Sequence, residues 1–369
     1  MNAHYLITGG AGSLGREITA RILRSEPSAE IAILVRARDP REAEVKWAEL
    51  VRFLAHYGHA ASLGRVIPVV GDVERPMLGL NGPVAERLRR HTTHIIHAAA
   101  SINLRMPLAL ARAINVVGTR EALTFAESCP GLARFVHLST AYVAGERTGL
   151  IREEEGDMGQ RFLNTYEQSK CEAETLLLDA APRIPLSIAR PSIIVGNSGD
   201  GRTCNFGTLY RPLRLIAEGS LRRIPGDPDT PLDLVPVDYV ADGVAAIARS
   251  PGGTGAVYHL TAGPERTLPV AELIGTMARL AGKKSPRFIA PDFAPSREAA
   301  AVGRHHRMDA FFAYLAGAKA FDDSALRRDF AIRECPDPRG YLPALYSFCV
   351  STGWGRELPW DRSSIEVAA

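Results

Sequence analysis

Tyr166 and Lys170 stand four residues apart in the stretch NTYEQSKCEAE, residues 164–174. On a helix, positions i and i+4 share one face, so a phenol and an ammonium there project together. That pair suits a reduction. A carbonyl carbon that accepts a hydride leaves negative charge on its oxygen, which needs a hydrogen-bond donor and then a proton. Tyrosine can give the proton, although it ordinarily titrates near pH ~10. A neighbouring ammonium and the positive ring of an oxidised nicotinamide both favour the phenolate and lower that value. Upstream, RFVHLST (134–140) ends in Ser139 and Thr140, and the Thr140 hydroxyl is placed to orient the substrate oxygen. The spacing Y-x-x-x-K also occurs on solvated helix faces. Reading Thr140, Tyr166 and Lys170 as a catalytic set therefore requires a hydride-carrier site on the same chain.

Such a site is written at the first strand–helix junction. TGGAGSLG (8–15) follows an apolar strand and opens a helix, with Gly9, Gly12 and Gly15 in a G-x-x-G-x-x-G spacing. Glycines there permit a tight turn and close approach of backbone N–H groups to a diphosphate, which the helix N-terminus attracts. Thr8, Gly9, Gly12, Ser13, Leu14 and Gly15 are the expected contacts. The second strand ends ILVRARD, with Arg36 where a site for NAD usually carries an acid. A guanidinium at that point suits the 2′-phosphate of NADP by charge and geometry, so NADPH is the expected cofactor. Arg38 is a second candidate for that phosphate. Asp72 ends the third strand, where a carboxylate can accept from the adenine amino group. HAAAS (97–101) ends the fourth with small residues, Ala98 and Ala99 among them, against which a ligand can lie.

The elements that must carry these groups alternate. Apolar runs HYLITGG, IAILVR, RVIPVVGD, THIIHAAA, RFVHLST and PLSIARPSIIVG read as six strands. Helical patterns lie between the strands, one capped by Asp39 with Pro40 at its first position and another opening at Pro107. The runs are near-continuously apolar, as in parallel strands buried on both faces. The expected fold is α/β, a doubly wound parallel sheet of Rossmann type with a smaller C-terminal substrate-binding lobe. Residues 1–196 plus 236–260 form the expected NADP-binding domain, and 197–235 plus 261–369 the lobe. The stretch 197–236, rich in Gly, Pro and Arg, reads as loop.

Composition excludes several classes. The 369 residues are 46% apolar and 23% charged, enough for a sizeable core. Net charge is 44 − 41 = +3, which supplies no dominant field for nucleic acid or a membrane surface. Five cysteines, an odd count without C-x-x-C spacing, point to reduced thiols. No signal peptide or spanning segment is evident, and the expected location is cytoplasmic. His91, His94 and His97 invite a metal reading, but a spacing of three alternates faces along a strand, so no metal site is expected.

With these motifs together, the sequence resembles the extended short-chain dehydrogenase/reductase superfamily. It is most similar to the branch of fatty acyl-CoA reductases (male sterility proteins) and terminal thioester reductase domains. TGGAGSLG, LVRARD, GDVERPMLGL, HAAASINL, NVVGTREAL, FVHLSTAYVAG, YEQSKCEAE, ARPSIIVG and LVPVDYVADGV carry the resemblance, and FFAYLAGAKAFDDSALRRDF (311–330) is a fainter match. The resemblance implies a Thr140–Tyr166–Lys170 triad, with Lys170 also on the cofactor ribose. It implies Arg36 and Lys46 on the 2′-phosphate, Asp72 and Val73 beside adenine, Ala98 and Ala99 along the cofactor, and Pro191 and Ile193 at its nicotinamide end. Asn115 matches a largely structural asparagine. The glycine loop begins eight residues after Met1, which suggests a free-standing enzyme, monomeric or homodimeric. The expected activity is reduction of an acyl thioester, on CoA or on the phosphopantetheine of a carrier protein, to the aldehyde or on to the alcohol. Arg202, Arg211, Arg214, Arg222 and Arg223 form a candidate basic docking surface. The rival reading is reduction of a free aldehyde or ketone, or nucleotide-sugar epimerase or dehydratase chemistry. Arg36 disfavours the nucleotide sugars, and the intact tyrosine–lysine pair disfavours a protein that only binds the dinucleotide.

Overall fold

Alternate residues of each central strand enter two different cores. The computed structural model describes residues 3–207, 209–250, 255–289, 314 and 317–362. Its main sheet comprises β1 (His4–Thr8), β2 (Glu30–Val35), β3 (Val66–Val70), β4 (His94–His97), β5 (Arg134–Leu138), β6 (Leu186–Pro191) and β7 (Ala256–Leu260). The order is β7-β6-β5-β4-β1-β2-β3, with every pairing parallel. Tyr5 and Ile7 of β1 and Ile31 and Ile33 of β2 point to one face. There they pack with α1 (Ser13–Ser25), α2 (Pro40–Leu54) and, through Val240 and Val244, the helix Val237–Arg249. Leu6, Ala32, Leu34 and Phe135 point to the other face, against Phe125 of the helix Gly118–Glu127 and Leu177 of α3 (Thr165–Leu178). Burial on both faces is why the runs are apolar throughout. The strand order reverses between β1 and β4, which opens a crevice at the carboxyl ends of the strands.

The sixth apolar run is not one strand. β6 stops at Pro191, paired with Leu260. The chain then leaves the sheet, and Ile193–Val195 pairs in parallel with Leu234–Pro236. Asp233 makes the transfer: its carboxylate accepts from the Ser192 hydroxyl and its carbonyl from the Ile193 N–H at 3.3 Å. The stretch expected as loop also holds structure. Helix Tyr210–Ala217 buries Tyr210, Leu213 and Ile216 against Leu273 and Met277 of helix Val270–Leu280 and Leu345 of helix Pro338–Ser351, forming a second core. Only two helical turns carry its apolar stripe, too short a window to stand out among Gly, Pro and Arg.

Beyond this core, Lys319–Phe321 pairs with Gly149–Ile151, and Leu326, Cys335 and Trp360 join the α1–α2 face of the sheet. The Pro-broken stretch past Ile289 and positions 311–313, 315 and 316 of the faint C-terminal match lie outside the described residues. Among the described residues, no helix is long and apolar enough to cross a membrane, and no group of His, Cys, Asp or Glu could hold a metal. His94 stacks on Tyr5 while His97 is buried between Thr8 and Thr119.

Candidate active site

After β1 the chain turns through Gly9 at φ +71°. A Cβ there would lie 2.7 Å from the Ala98 carbonyl and the Ala99 nitrogen, so the close approach of β1 to the end of β4 admits only glycine. At Gly15 a Cβ would stand 2.2 Å from the Gly9 oxygen. These contacts fold the loop onto the start of α1. Gly12 caps that helix without a side-chain hydrogen bond, which leaves first-turn N–H groups for an anionic ligand. Gly9, Gly12, Ser13, Leu14, Gly15 and Ala98 line a cavity of about 340 Å³. Thr8 and Ala99 stand behind it: the Thr8 hydroxyl accepts the Ala99 N–H at 3.2 Å and bonds His97 Nδ1 at 2.8 Å. A glycine-built anion cradle at one end of a crevice fits a nicotinamide dinucleotide.

The same cavity reaches Thr140, Tyr166, Lys170, Pro191 and Ile193. Thr140 follows β5, and its Oγ1 accepts the Tyr142 N–H at 3.2 Å while its hydroxyl also bonds the Tyr166 phenol. Lys170 is 1% exposed; its Nζ donates to the Leu138 carbonyl at 2.5 Å and lies 3.1 Å from His137 Nε2. Burial pushes the Lys170 pKa down to about 7, with Glu174 opposing. Burial pushes the Tyr166 phenol up to about 12, against the pull of its bond to Thr140. The expected lowering of the phenol is therefore not met by the protein alone. The ammonium is spent on Leu138 and His137, and desolvation outweighs it.

Several bonds fix α3 in place. Asn164 caps it by accepting the Glu167 N–H at 3.0 Å, and the buried Glu167 carboxylate accepts the Leu163 N–H at 3.0 Å and Asn164 Nδ2 at 3.1 Å. This resembles a capping box, with the carboxylate reaching the N–H one residue before the cap. Tyr314 reaches the same corner: its hydroxyl accepts from Asn164 Nδ2 at 2.9 Å and bonds Glu167. One turn past Lys170, Glu174 forms a buried ion pair with Arg190 of β6 at 2.6 Å. Asn115 lies in a π turn, Ala113–Val117. It donates to Ser169 of α3 at 2.9 Å and accepts the Ser101 N–H at 2.8 Å, tying α3 to the loop after β4.

The remaining candidates gather at the ends of β2 and β3, away from the cavity. Arg36 pairs with Glu74 at 3.1 Å, and Lys46 Nζ donates to the Arg36 carbonyl at 2.6 Å. The structure thus brings Arg36 and Lys46 together. Arg38, 89% exposed, pairs with Glu42 on the first turn of α2, which also pairs with Lys46 at 2.9 Å. Asp72 accepts the Glu74 N–H at 3.0 Å, and Val73 is buried against Gly118.

Sequence reasoning missed Tyr142, Asn205, Tyr210 and Tyr314, all on the cavity wall. Tyr142 lies close after Thr140, and its place two residues on was the local signal for it; Asn205, Tyr210 and Tyr314 approach through distant chain pairing, which no local pattern marks. Arg202 is a correction to the expected basic surface. It is largely buried, bonds Glu17 at 2.8 Å and Asp200 at 2.9 Å, and lies over the Tyr57 ring at 4.2 Å. It belongs to a separate cavity of about 400 Å³ whose walls also hold the Arg21–Asp242 and Arg333–Asp238 pairs.

A glycine cradle and a tyrosine–lysine pair at the switch point of a doubly wound sheet define a nicotinamide-dinucleotide site of the short-chain dehydrogenase/reductase kind, a superfamily of oxidoreductases. Residues 7–244 match the NAD-binding family described as male sterility protein, and the chain belongs to that family. Within the extended superfamily it falls in the fatty acyl-CoA reductase and thioester reductase branch. It is 26% identical over 293 residues to fatty acyl-CoA reductase wat of Drosophila melanogaster, a match covering 69% of this chain and 56% of that protein. It is 30% identical over 267 residues to the non-canonical nonribosomal peptide synthetase FrzA of a Cladobotryum species, covering 69% of this chain and 25% of the synthetase. Among solved structures, the terminal R domain from the myxalamid PKS-NRPS biosynthetic pathway superposes with a TM-score of 0.81 at 26% identity, covering 96% of this chain and 92% of that one. The chain thus spans little more than half of the Drosophila reductase and a small part of the synthetase.

Proposed function

We propose that the protein is an NADPH-dependent reductase of an acyl thioester, presented on CoA or on the phosphopantetheine of a carrier protein, and that its product is the aldehyde or, after a second reduction, the alcohol. The observation that carries this reading is one cavity wall shared by the glycine loop and the Thr140–Tyr166–Lys170 set. The kinship with proteins named as acyl-CoA reductases and peptide synthetase reductase domains supports the thioester.

A bound nicotinamide dinucleotide supplies the hydride. The first-turn N–H groups of α1 hold its diphosphate, Pro191 and Ile193 back its nicotinamide end, and the free N–H of Lys170 holds a ribose hydroxyl. Arg36 and Lys46 take the 2′-phosphate. Thr140 and Tyr166 hold the thioester oxygen, stabilise the charge that grows there as the carbon becomes tetrahedral, and Tyr166 passes its proton to it. The hemithioacetal then breaks its C–S bond, so the carbonyl reforms as an aldehyde and the sulfur leaves with the proton as thiol. Lys170 is the one formally charged side chain among the described residues of the cavity wall, while Ile102, Leu104 and Leu209 line it with hydrocarbon. This favours an uncharged acyl group. The second core, in 197–235 and 261–369, is assigned to substrate binding, and 1–196 plus 236–260 to the nucleotide.

The test follows NADPH and NADH oxidation with acyl-CoA, acyl-carrier thioester and free aldehyde. Turnover of thioester with preference for NADPH is expected. Turnover of free aldehyde alone would replace the reading with the rival one.

A further inference from the structure

His137 is fully buried in the middle of β5, where packing alone asks for hydrocarbon. Its Nε2 lies 3.1 Å from Lys170 Nζ, and its Nδ1 has no hydrogen-bond partner among the described residues. Leaving a buried polar nitrogen unpaired is destabilising. Such a group calls for an explanation beyond packing.

Lys170 offers one. An ammonium has three N–H donors and no acceptor. One is taken by the Leu138 carbonyl at 2.5 Å and a second by His137 at 3.1 Å. The third remains for a ligand in the cavity that Lys170 lines. A hydrocarbon side chain at position 137 would leave the second N–H buried and unpaired. His97, stacked on His137 at 5.4 Å, does not share this duty. Its two nitrogens bond Thr8 at 2.8 Å and Thr119 at 3.1 Å, so it ties the glycine loop to the neighbouring helix.

We propose that His137 is a positioning residue for Lys170: its neutral imidazole, protonated on Nδ1, accepts an ammonium N–H at Nε2 and so keeps Lys170 charged and aimed at the cofactor ribose. The inference rests on Lys170 serving the proposed reduction. The groups facing this contact are Tyr166 and Glu174 from α3, His97 from β4 and His137 from β5. Burial, the Lys170 charge and His97 together hold His137 well below the ordinary histidine range, so it accepts rather than competes for a proton. Glu174 is the one carboxylate that favours the ammonium. With burial drawing Lys170 toward neutrality, an additional acceptor carries weight.

The test needs the wild type and two variants. Imidazole ¹⁵N shifts of the wild type at pH 7 should show His137 protonated on Nδ1 and bare at Nε2. An Nε2–H tautomer or an imidazolium would overturn the proposal, and this readout stands even if a variant does not fold. His137→Leu should lower kcat for thioester reduction about 10- to 100-fold with little change in KM. It should also move the alkaline limb of the kcat profile to lower pH, since losing an acceptor lowers the ammonium pKa. His137→Gln, whose amide oxygen can accept in place of Nε2, should restore most of the rate and the limb. Equal losses in both variants with an unmoved limb would mark a packing role and overturn the proposal. If the wild type reduces no thioester, the functional reading fails, while the nitrogen spectrum and the pH dependence of NADPH binding, read by nucleotide fluorescence, still decide the contact.

Discussion

Lys170, at the proposed reacting end of the crevice, is 1% exposed and in contact with the Leu138 carbonyl and His137 Nε2, whereas Arg36, at the expected adenosine end, has a side chain 60% exposed and paired with Glu74. Burial sets the protonation of Lys170 and Tyr166, drawing them to about 7 and about 12. At the other end, solvent screens each pair, and an exposed ion pair is worth about 0–1 kcal/mol. Arg36 can therefore exchange Glu74 for a phosphate at small cost, while any change around Lys170 is felt in full. In the proposed function, one end serves chemistry through desolvation and the other recognition through exchangeable partners.

The comparison breaks most readily at Tyr166. Tyr166→Phe should lower kcat about 10³-fold and leave the NADPH dissociation constant, read by fluorescence, within about twofold. Retention of a tenth of the activity would remove the phenol from the proton path.

Lys170 tests what burial costs. Its folded pKa is lowered from 10.5 to about 7. Between these values the unfolded chain holds a proton that the folded one has released, so stability rises with pH across that window and the full cost is felt below pH ~7. Lys170→Met should lose activity yet unfold at higher denaturant at pH 6, by about 1–4 kcal/mol, with the gap closing as pH rises toward 10. A less stable variant at pH 6 would show that Leu138 and His137 more than repay desolvation.

The exposed end predicts smaller effects. Arg36→Asp should weaken NADPH binding about 10- to 100-fold and shift preference toward NADH, less so at high salt. An unchanged preference would move the phosphate elsewhere. Glu74→Gln, which frees Arg36, should tighten NADPH about two- to threefold without altering the melting temperature. Weaker binding would mean that Glu74 orients Arg36 rather than occupying it.

What could be read from the sequence follows the same division. The glycine loop, the i, i+4 tyrosine–lysine pair and the Asp39 cap are local patterns, legible because neighbours in sequence are neighbours in space. That Arg36 stands at the end of strand two was legible from the apolar run before it. The contacts that hold the reacting end were not. His137 meets Lys170 across 33 residues, Arg190 meets Glu174 across 16, and Tyr314 meets Asn164 across 150. His137 and Arg190 are single polar residues in apolar strands, which the register of β5 and β6 against α3 makes partners, and Tyr314 reaches Asn164 from a distant part of the chain. The departure at Ser192 was hidden because PLSIARPSIIVG reads as one largely apolar run, with Pro191 the single local mark of the break. Arg202 misled because charge in sequence does not say whether Glu17 waits opposite.

The central claim is that the oxygen receiving the Tyr166 proton belongs to a thioester. The most direct measurement is the thiol released per NADPH oxidised when the protein is given an acyl thioester. The account predicts one thiol for each NADPH if reduction stops at the aldehyde, or one for every two if it proceeds to the alcohol, with both lost in Tyr166→Phe. NADPH oxidation on a free aldehyde, with no thiol released from any thioester supplied, would contradict it.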